Sequence, residues 1–196
     1  MAFYEYLPLG KTFKHWKGWA SNANSSQATY EQVLAAWNSL TCSTAFVWEP
    51  YEGVGHASIL VWEPTIDLVE YISTFPGGDG VGHSKRDAIK SLPVEWMGFA
   101  EDCNSESRVK GRYRIPEHII PLPNLNHSAM LSRAADKQSA SKDYHFLRRN
   151  CSTVAAGVLR AGLSYKTLAR LSHYAYKRVW TPTEFYWFAA AVARHT

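Results

Sequence analysis

Cys151 is the residue whose position in the sequence most clearly suggests chemistry. It follows Asn150 and precedes a run with helical spacing, so Asn150 is predicted to cap a helix that Cys151 opens. Free backbone N–H groups and the positive end of the helix dipole stabilise a thiolate there, and the thiolate is the reactive form of cysteine. Arg148 and Arg149 add positive charge nearby. The alternative is a small buried residue without a chemical role, because free cysteines are commonly buried.

His56 is the predicted base for this thiol. It follows Gly53-Val54-Gly55 and opens a run with strand character, which places the imidazole near the edge of a sheet. An imidazole in that position can take a proton from a thiol on a helix that packs across the end of the sheet. The alternative is an exposed histidine at a strand end.

The elements expected before Cys151 include a helix over residues 30–40, capped by Thr29, and one further strand over residues 112–120, broken by Pro116. Residues 81–110 are predicted to form a polar surface segment with a short helix near residues 87–91, and Asp102 and Cys103 are placed in a loop without helical support. The other predicted strands cover residues 44–48, 56–62 and 68–75. The last two strands are expected to form an antiparallel hairpin around a turn at residues 63–67. Residues 76–80 are expected to end this hairpin.

Three helices are predicted in the second half of the chain. The strongest pattern covers residues 151–161, where Val154, Ala155, Val158 and Leu159 share one face and Gly162 stands at the C-terminal cap. The other two helices cover residues 126–146 and 183–194, the latter with Thr181 as its cap and Pro182 in its first turn.

Other patterns support weaker hypotheses. Cys42 is not the predicted nucleophile, because too few residues separate it from His56 for a helix and for the return of the chain. Cys42 and Cys103 either form a disulfide or stay reduced, and the sequence leaves both open. The eight histidines lack HExxH spacing and no CxxC occurs, so no metal site and no cofactor is predicted. The glycine run at 77–80 lacks the Lys-Ser/Thr of a phosphate loop.

Length and composition indicate one globular domain over residues 1–196, in which residues 1–40 form an irregular and then helical extension. Hydrophobic residues make up 46% and charged residues 19%, which excludes a disordered chain. The net charge of +4 is scattered without a run of five cations, so no nucleic-acid partner is expected. No classical leader and no membrane-spanning stretch is found, so secretion is expected to proceed without a classical signal peptide.

The two candidate residues together resemble a known family. The strand start Gly55-His56-Ala57-Ser58, the strand at residues 71–76 and the helix start Asn150-Cys151-Ser152 are similar to the circularly permuted branch of the papain-like NlpC/P60 superfamily. In that branch the histidine strand precedes the cysteine helix. The resemblance covers residues 53–76 and 144–162. It implies an α+β fold in which a small antiparallel sheet packs against the cysteine-bearing helix.

The family also implies a third polar residue on the strand that follows the histidine. Ser73 is the first choice here and Glu70 the second, and the strand lacks the second histidine that some relatives have. If the hairpin turns around residues 65–66, Ser73 is expected to lie near Ser58, where the Ser73 side chain could reach His56.

The oxyanion of the reaction is expected to be bound by the Cys151 backbone N–H and one further donor. Tyr144 and His145 are the candidates for that donor.

The resemblance implies a cysteine peptidase or amidase that cleaves peptidoglycan stem peptides, as an antibacterial toxin similar to type VI secretion effectors. Such a toxin acts in the periplasm of a target cell, and an immunity protein and a secretion-apparatus carrier are candidate partners; the alternative location is the cytosol of a host cell. Two other functions stay open. One is a permuted papain-like lipid hydrolase or acyltransferase acting on membrane lipids or host proteins. The other is a non-catalytic binding module, which an inert Cys151 would indicate.

Overall fold

The computed structural model describes residues 27–49, 55–77, 92–107, 109–140, 143–145 and 148–196. Three features expected from the sequence lie outside these residues: the irregular start of the chain, the end of the hairpin beyond residue 77, and the short helix near residues 87–91.

The described residues form nine strands and seven helices, so the chain is α+β as predicted. The strands are β1 (Gln27–Ala28), β2 (Thr44–Trp48), β3 (His56–Glu63), β4 (Leu68–Ile72), β5 (Thr74–Pro76), β6 (Leu92–Trp96), β7 (Tyr113–Arg114), β8 (His118–Pro121) and β9 (Asp143–Tyr144). The helices are α1 (Tyr30–Asn38), α2 (Phe99–Ser105), α3 (His127–Ala140), α4 (Cys151–Ala161), α5 (Tyr165–Arg170), α6 (Ser172–Ala175) and α7 (Pro182–Ala193).

A four-stranded antiparallel sheet in the order β4-β3-β2-β8 forms the centre of the described structure. Strands β3 and β4 form the predicted hairpin, and Ile59 lies opposite Ile72. This register is the one expected from a turn at residues 65–66. A second sheet has the order β5-β6-β9, and β1 pairs with β7.

The two faces of the central sheet bury different helices, because successive side chains of a strand point to opposite sides. Ala57, Ile59 and Val61 lie in one apolar cluster with residues of α3, α4 and α7. Phe46 and Leu60 point the other way and pack with residues of α1 and α2. The sheet therefore lies between two helical layers, and the helix that begins at Cys151 belongs to the larger one.

Helix α4 has the predicted bounds and the predicted caps. The Asn150 side chain accepts a hydrogen bond from the Thr153 N–H at 2.8 Å, and the helix ends at Gly162. Gly162 has an ordinary right-handed φ of −76°. The absence of a side chain matters there for another reason: a Cβ at Gly162 would lie 2.6 Å from Met130 Sδ. Glycine therefore allows α3 to approach the end of α4 closely.

The prediction of a polar loop around Asp102 and Cys103 was wrong. Strand β6 and helix α2 occupy residues 92–105, and Phe99, Asp102 and Cys103 point into the core from one face of α2. Their i, i+3, i+4 spacing is that of a buried helix face. The helix was not recognised from the sequence, because it has only seven residues and acidic and small residues lie between the buried ones.

Smaller differences concern breaks in elements. The strand predicted over 68–75 is interrupted at Ser73, and the strand predicted over 112–120 consists of β7 and β8. The helix predicted over 126–146 ends at Ala140, since residues 143–144 pair with β6 instead. Helices α5 and α6 were not predicted.

Replacing the Asn150 cap tests how strongly α4 depends on it. Asn150 caps α4 through its Oδ1 and donates from Nδ2 to the buried carbonyl of Trp180 at 2.7 Å. Asn150→Ala removes both interactions, so the free energy of unfolding measured in urea should fall by about 1–2 kcal/mol. Ser164→Ala removes the exposed cap of α5 and serves as the control. An equal or larger loss for Ser164→Ala would contradict this account.

Candidate functional site

His56 begins β3 at the end of the central sheet. Gly55 directly before it has a φ of +71°, a left-handed conformation that glycine adopts without strain and that turns the chain into the strand. The His56 residue is only 2% exposed. Its ring lies between two aromatic rings, with centroid distances of 5.2 Å to Trp48 and 4.7 Å to Phe75. The imidazole is thus buried and held in one orientation.

Two polar side chains meet one nitrogen of this ring. His56 Nε2 lies 2.9 Å from Ser73 Oγ and 3.0 Å from Asp102 Oδ2. Asp102 is fully buried, so its charge acts on the imidazole with little screening by water. Burial alone would lower the pKa of His56. Attraction to Asp102, and then to Cys151, outweighs that effect and holds the pKa of His56 well above its ordinary value.

Asp102 is itself held by the central sheet. The Tyr71 hydroxyl donates to Asp102 Oδ2 at 2.5 Å, and Ser58 Oγ lies 2.6 Å from the Tyr71 oxygen. Burial and the neighbouring Asp102 carboxylate raise the pKa of Tyr71 well above its ordinary value, so the hydroxyl keeps its proton and remains a donor. A chain of hydrogen bonds therefore runs from Ser58 through Tyr71 and Asp102 to His56.

Cys151 meets the other side of the imidazole. The Cys151 residue is 6% exposed, and burial alone would raise the pKa of its thiol. The positive charge and hydrogen bond of His56 and the donating backbone N–H of Ala57 outweigh burial, so the pKa of Cys151 is lowered. Since Nε2 faces Asp102 and Ser73, Nδ1 is the nitrogen left for the sulfur. Both pKa shifts act in the direction of a thiolate beside an imidazolium.

Ser152 and Tyr144 also approach the Cys151 sulfur. Ser152 Oγ lies 3.8 Å and the Tyr144 hydroxyl 4.0 Å from Sγ. The Tyr144 hydroxyl also interacts with the Cys151 backbone N–H, and burial keeps the pKa of Tyr144 far above its ordinary value. A protonated hydroxyl and a helix N-terminal N–H thus lie together beside the sulfur. Tyr144, one of the two predicted oxyanion donors, thus contacts the Cys151 sulfur, and its role as a donor stays a prediction.

His145 differs from Tyr144 in that its backbone is used in a turn. The His145 N–H donates to the Arg149 carbonyl at 3.1 Å, and the Arg149 N–H donates back at 2.8 Å. Of the two basic residues expected to assist Cys151, Arg149 pairs with Asp143 at 3.4 Å.

Of the two residues proposed to orient His56, the structure brings only Ser73 to the ring. Glu70 accepts a hydrogen bond from Gln138 at 3.1 Å and lies on β4 opposite Val61. The charged partner, Asp102, was missed by the sequence reasoning. The spacing of Phe99 and Cys103 around it was the available signal, because it places Asp102 on the buried face of α2.

The remaining cysteines are not part of this site. Cys42, Cys103 and Cys151 are all free thiols, which settles the open question of a Cys42–Cys103 disulfide. Cys103 is buried in the opposite core cluster, and burial together with Asp102 raises its pKa to about 12. Within the described ranges, no group of three or more His, Cys, Asp and Glu residues could hold a metal ion.

No helix in the described part of the chain has the length and apolar character needed to span a bilayer.

Direct titration of His56 tests which neighbour controls it. Asp102→Asn removes the negative charge, so the pKa of His56 should fall toward or below about 6.5 in a histidine NMR titration. A raised pKa stabilises the fold at pH values below the unfolded-state pKa, and this contribution disappears as the pH rises through the folded-state pKa. Asp102→Asn should therefore destabilise the protein more at acidic than at alkaline pH. Ser73→Ala removes only a neutral partner and is the control. A larger change in the pKa of His56 in Ser73→Ala than in Asp102→Asn would show that Ser73, and not Asp102, controls the ring.

Comparison with known protein families gives one match. The model of the IcsB middle domain matches residues 119–196, a range that includes Tyr144, Cys151 and helices α3 to α7 but neither His56 nor Asp102. Searches of curated proteins and of solved structures found no match. The chain is thus similar to the IcsB middle domain over the part that carries the cysteine helix.

Proposed function

We propose that the chain is a cysteine-dependent acyl-transfer enzyme in which Cys151 is the nucleophile, His56 the acid and base, and Asp102 the residue that orients His56. The observation that carries the proposal is the buried imidazole between a carboxylate and a thiol, 3.0 Å from the carboxylate. Nucleophile, base and orienting group in this order form the arrangement by which unrelated enzymes activate a cysteine or serine.

The reaction begins when the Cys151 thiolate attacks the carbonyl carbon of an ester, thioester or amide. The carbonyl electrons move to oxygen and form a tetrahedral oxyanion. As the oxyanion collapses, the bond to the leaving group breaks, and the leaving group takes the proton from the His56 imidazolium. The product is a thioester on Cys151. Water or an acceptor amine then gives its proton to His56, attacks the thioester, and releases Cys151 as a thiolate.

Four neighbouring groups support these steps. Asp102 contacts His56 Nε2 and orients the ring, while the Tyr71 hydroxyl donates to Asp102 and holds its carboxyl group in place. The Cys151 backbone N–H and the Tyr144 hydroxyl are the proposed oxyanion donors, because both lie near the sulfur. Fixed donors of this kind contribute strongly to catalysis because they need no reorganisation when the charge develops.

The proposed site of action is a host cell. IcsB is a Shigella effector, and the match to its middle domain favours a secreted bacterial effector that acts in host cells. This location agrees with the second function considered from the sequence, a papain-like acyltransferase or lipid hydrolase acting on membrane lipids or host proteins. Cleavage of peptidoglycan in a target-cell periplasm stays a prediction of the NlpC/P60 resemblance, and the IcsB similarity gives it no support.

Trapping of the acyl-enzyme tests the proposal directly. The full chain is mixed with p-nitrophenyl esters of short and long acyl chains, and its intact mass and the release of p-nitrophenolate are followed. We expect a burst of one product per chain, a mass increase of one acyl group on Cys151, and loss of both signals in Cys151→Ala. Asp102→Asn should slow the burst by at least about tenfold.

Cys42→Ala is the matched control, because Cys42 is a free and more exposed thiol outside the site. Its burst should equal that of the unchanged protein. Acylation that persists in Cys151→Ala, or that follows Cys42, would contradict the proposal. Once acylation of Cys151 is established, peptidoglycan, host phospholipids and host proteins can be compared as substrates with Cys151→Ala as the blank.

A further inference from the structure

The segment at residues 163–179 lies on the surface and is anchored by its apolar residues. Leu171 and Ala175 are buried in the larger core cluster, and Leu163, Leu168 and Tyr174 pack against it. The segment contains the two short helices α5 and α6, which were not predicted from sequence. Several side chains between these anchors are exposed to solvent.

These exposed side chains include cations and tyrosines. Tyr165 is 88% and Tyr176 is 58% exposed, far more than aromatic side chains usually are. Lys166, Arg170 and Arg178 are exposed as well. These five residues are called the basic tyrosine face below.

The charge around this face is mostly positive. Residues 144–183 contain seven Lys or Arg and no Asp or Glu, and two of the seven, Arg149 and Lys177, pair with Asp143 and Glu184 just outside this range. Among the described residues, no carboxylate forms an ion pair with Lys166, Arg170 or Arg178. Behind the face, the Arg160 guanidinium lies 5.1 Å from the centre of the Tyr176 ring and adds a further positive charge. The local charge is therefore concentrated, although the whole chain carries only +4.

We propose that the basic tyrosine face docks on the surface of a bilayer that contains anionic phospholipids. Lysine and arginine are attracted to the negative potential of such a surface. Tyrosine is enriched at the level of the headgroups, where its ring is in apolar surroundings and its hydroxyl meets water. Charge complementarity and the two exposed rings fit this partner together. The inference does not depend on the proposed reaction, because it uses no residue near Cys151.

Vesicle sedimentation of the full chain tests the inference. We expect binding to vesicles of phosphatidylcholine mixed with phosphatidylserine, and little binding to phosphatidylcholine alone, at about 0.15 M salt. Each cation near an anionic bilayer strengthens binding about fivefold. Lys166→Glu with Arg170→Glu should therefore weaken binding by at least about tenfold. Tyr165→Ser should weaken binding, whereas Tyr165→Trp should preserve it.

Lys110→Glu with Arg112→Glu is the matched control, because it makes the same change in net charge on another exposed segment. Vesicle binding should change little in this control. An equal loss in both double variants would show an effect of net charge alone and overturn the proposal. The proposal is also overturned if the unchanged protein does not sediment with anionic vesicles, including the case in which it binds RNA or soluble phosphoserine through the same residues.

Discussion

The buried contact of the His56 imidazole with a carboxyl group and a thiol is the interaction on which the described site depends. Each of the three groups loses water on folding, and each would be costly to bury alone. Together they stabilise the charged state: Asp102 raises the pKa of His56, and His56 lowers the pKa of Cys151. In the proposed reaction, the same balance activates the thiol as a nucleophile.

The two helical layers supply the two ends of this arrangement. Helix α4 packs on one face of the central sheet and brings Cys151 to its end with a capped N-terminus. Helix α2 packs on the opposite face and brings Asp102. His56 connects them because it opens β3 at the end of the sheet, where both sides of its ring can be reached. The hairpin of β3 and β4 then places Ser73 and Tyr71 around the carboxylate and the imidazole.

Sequence reasoning identified the parts that local chemistry determines. Short-range patterns predicted four features: the cap at Asn150, the apolar face of α4, the strand at His56 and the hairpin register. The NlpC/P60 resemblance then grouped Cys151, His56 and Ser73 in one predicted site. Asp102 was missed because its role depends on a long-range contact: a short helix of mixed composition becomes recognisable only when Phe99 and Cys103 are buried. Helices α5 and α6 were missed for a similar reason, since they are short and their stability comes from Leu171 and Ala175 in the core.

The pH dependence of alkylation at Cys151 tests the central claim most directly, with each modified cysteine located by peptide mass. The account predicts that Cys151 reacts with iodoacetamide at pH values well below the ordinary thiol pKa of about 8.5, and that His56→Ala abolishes this early reactivity. Cys42, a free thiol outside the site, provides the comparison within the same chain. If Cys151 reacts no faster than Cys42 at acidic pH, or if His56→Ala leaves its profile unchanged, then the thiolate–imidazolium pair does not exist and a non-catalytic binding role becomes the better account.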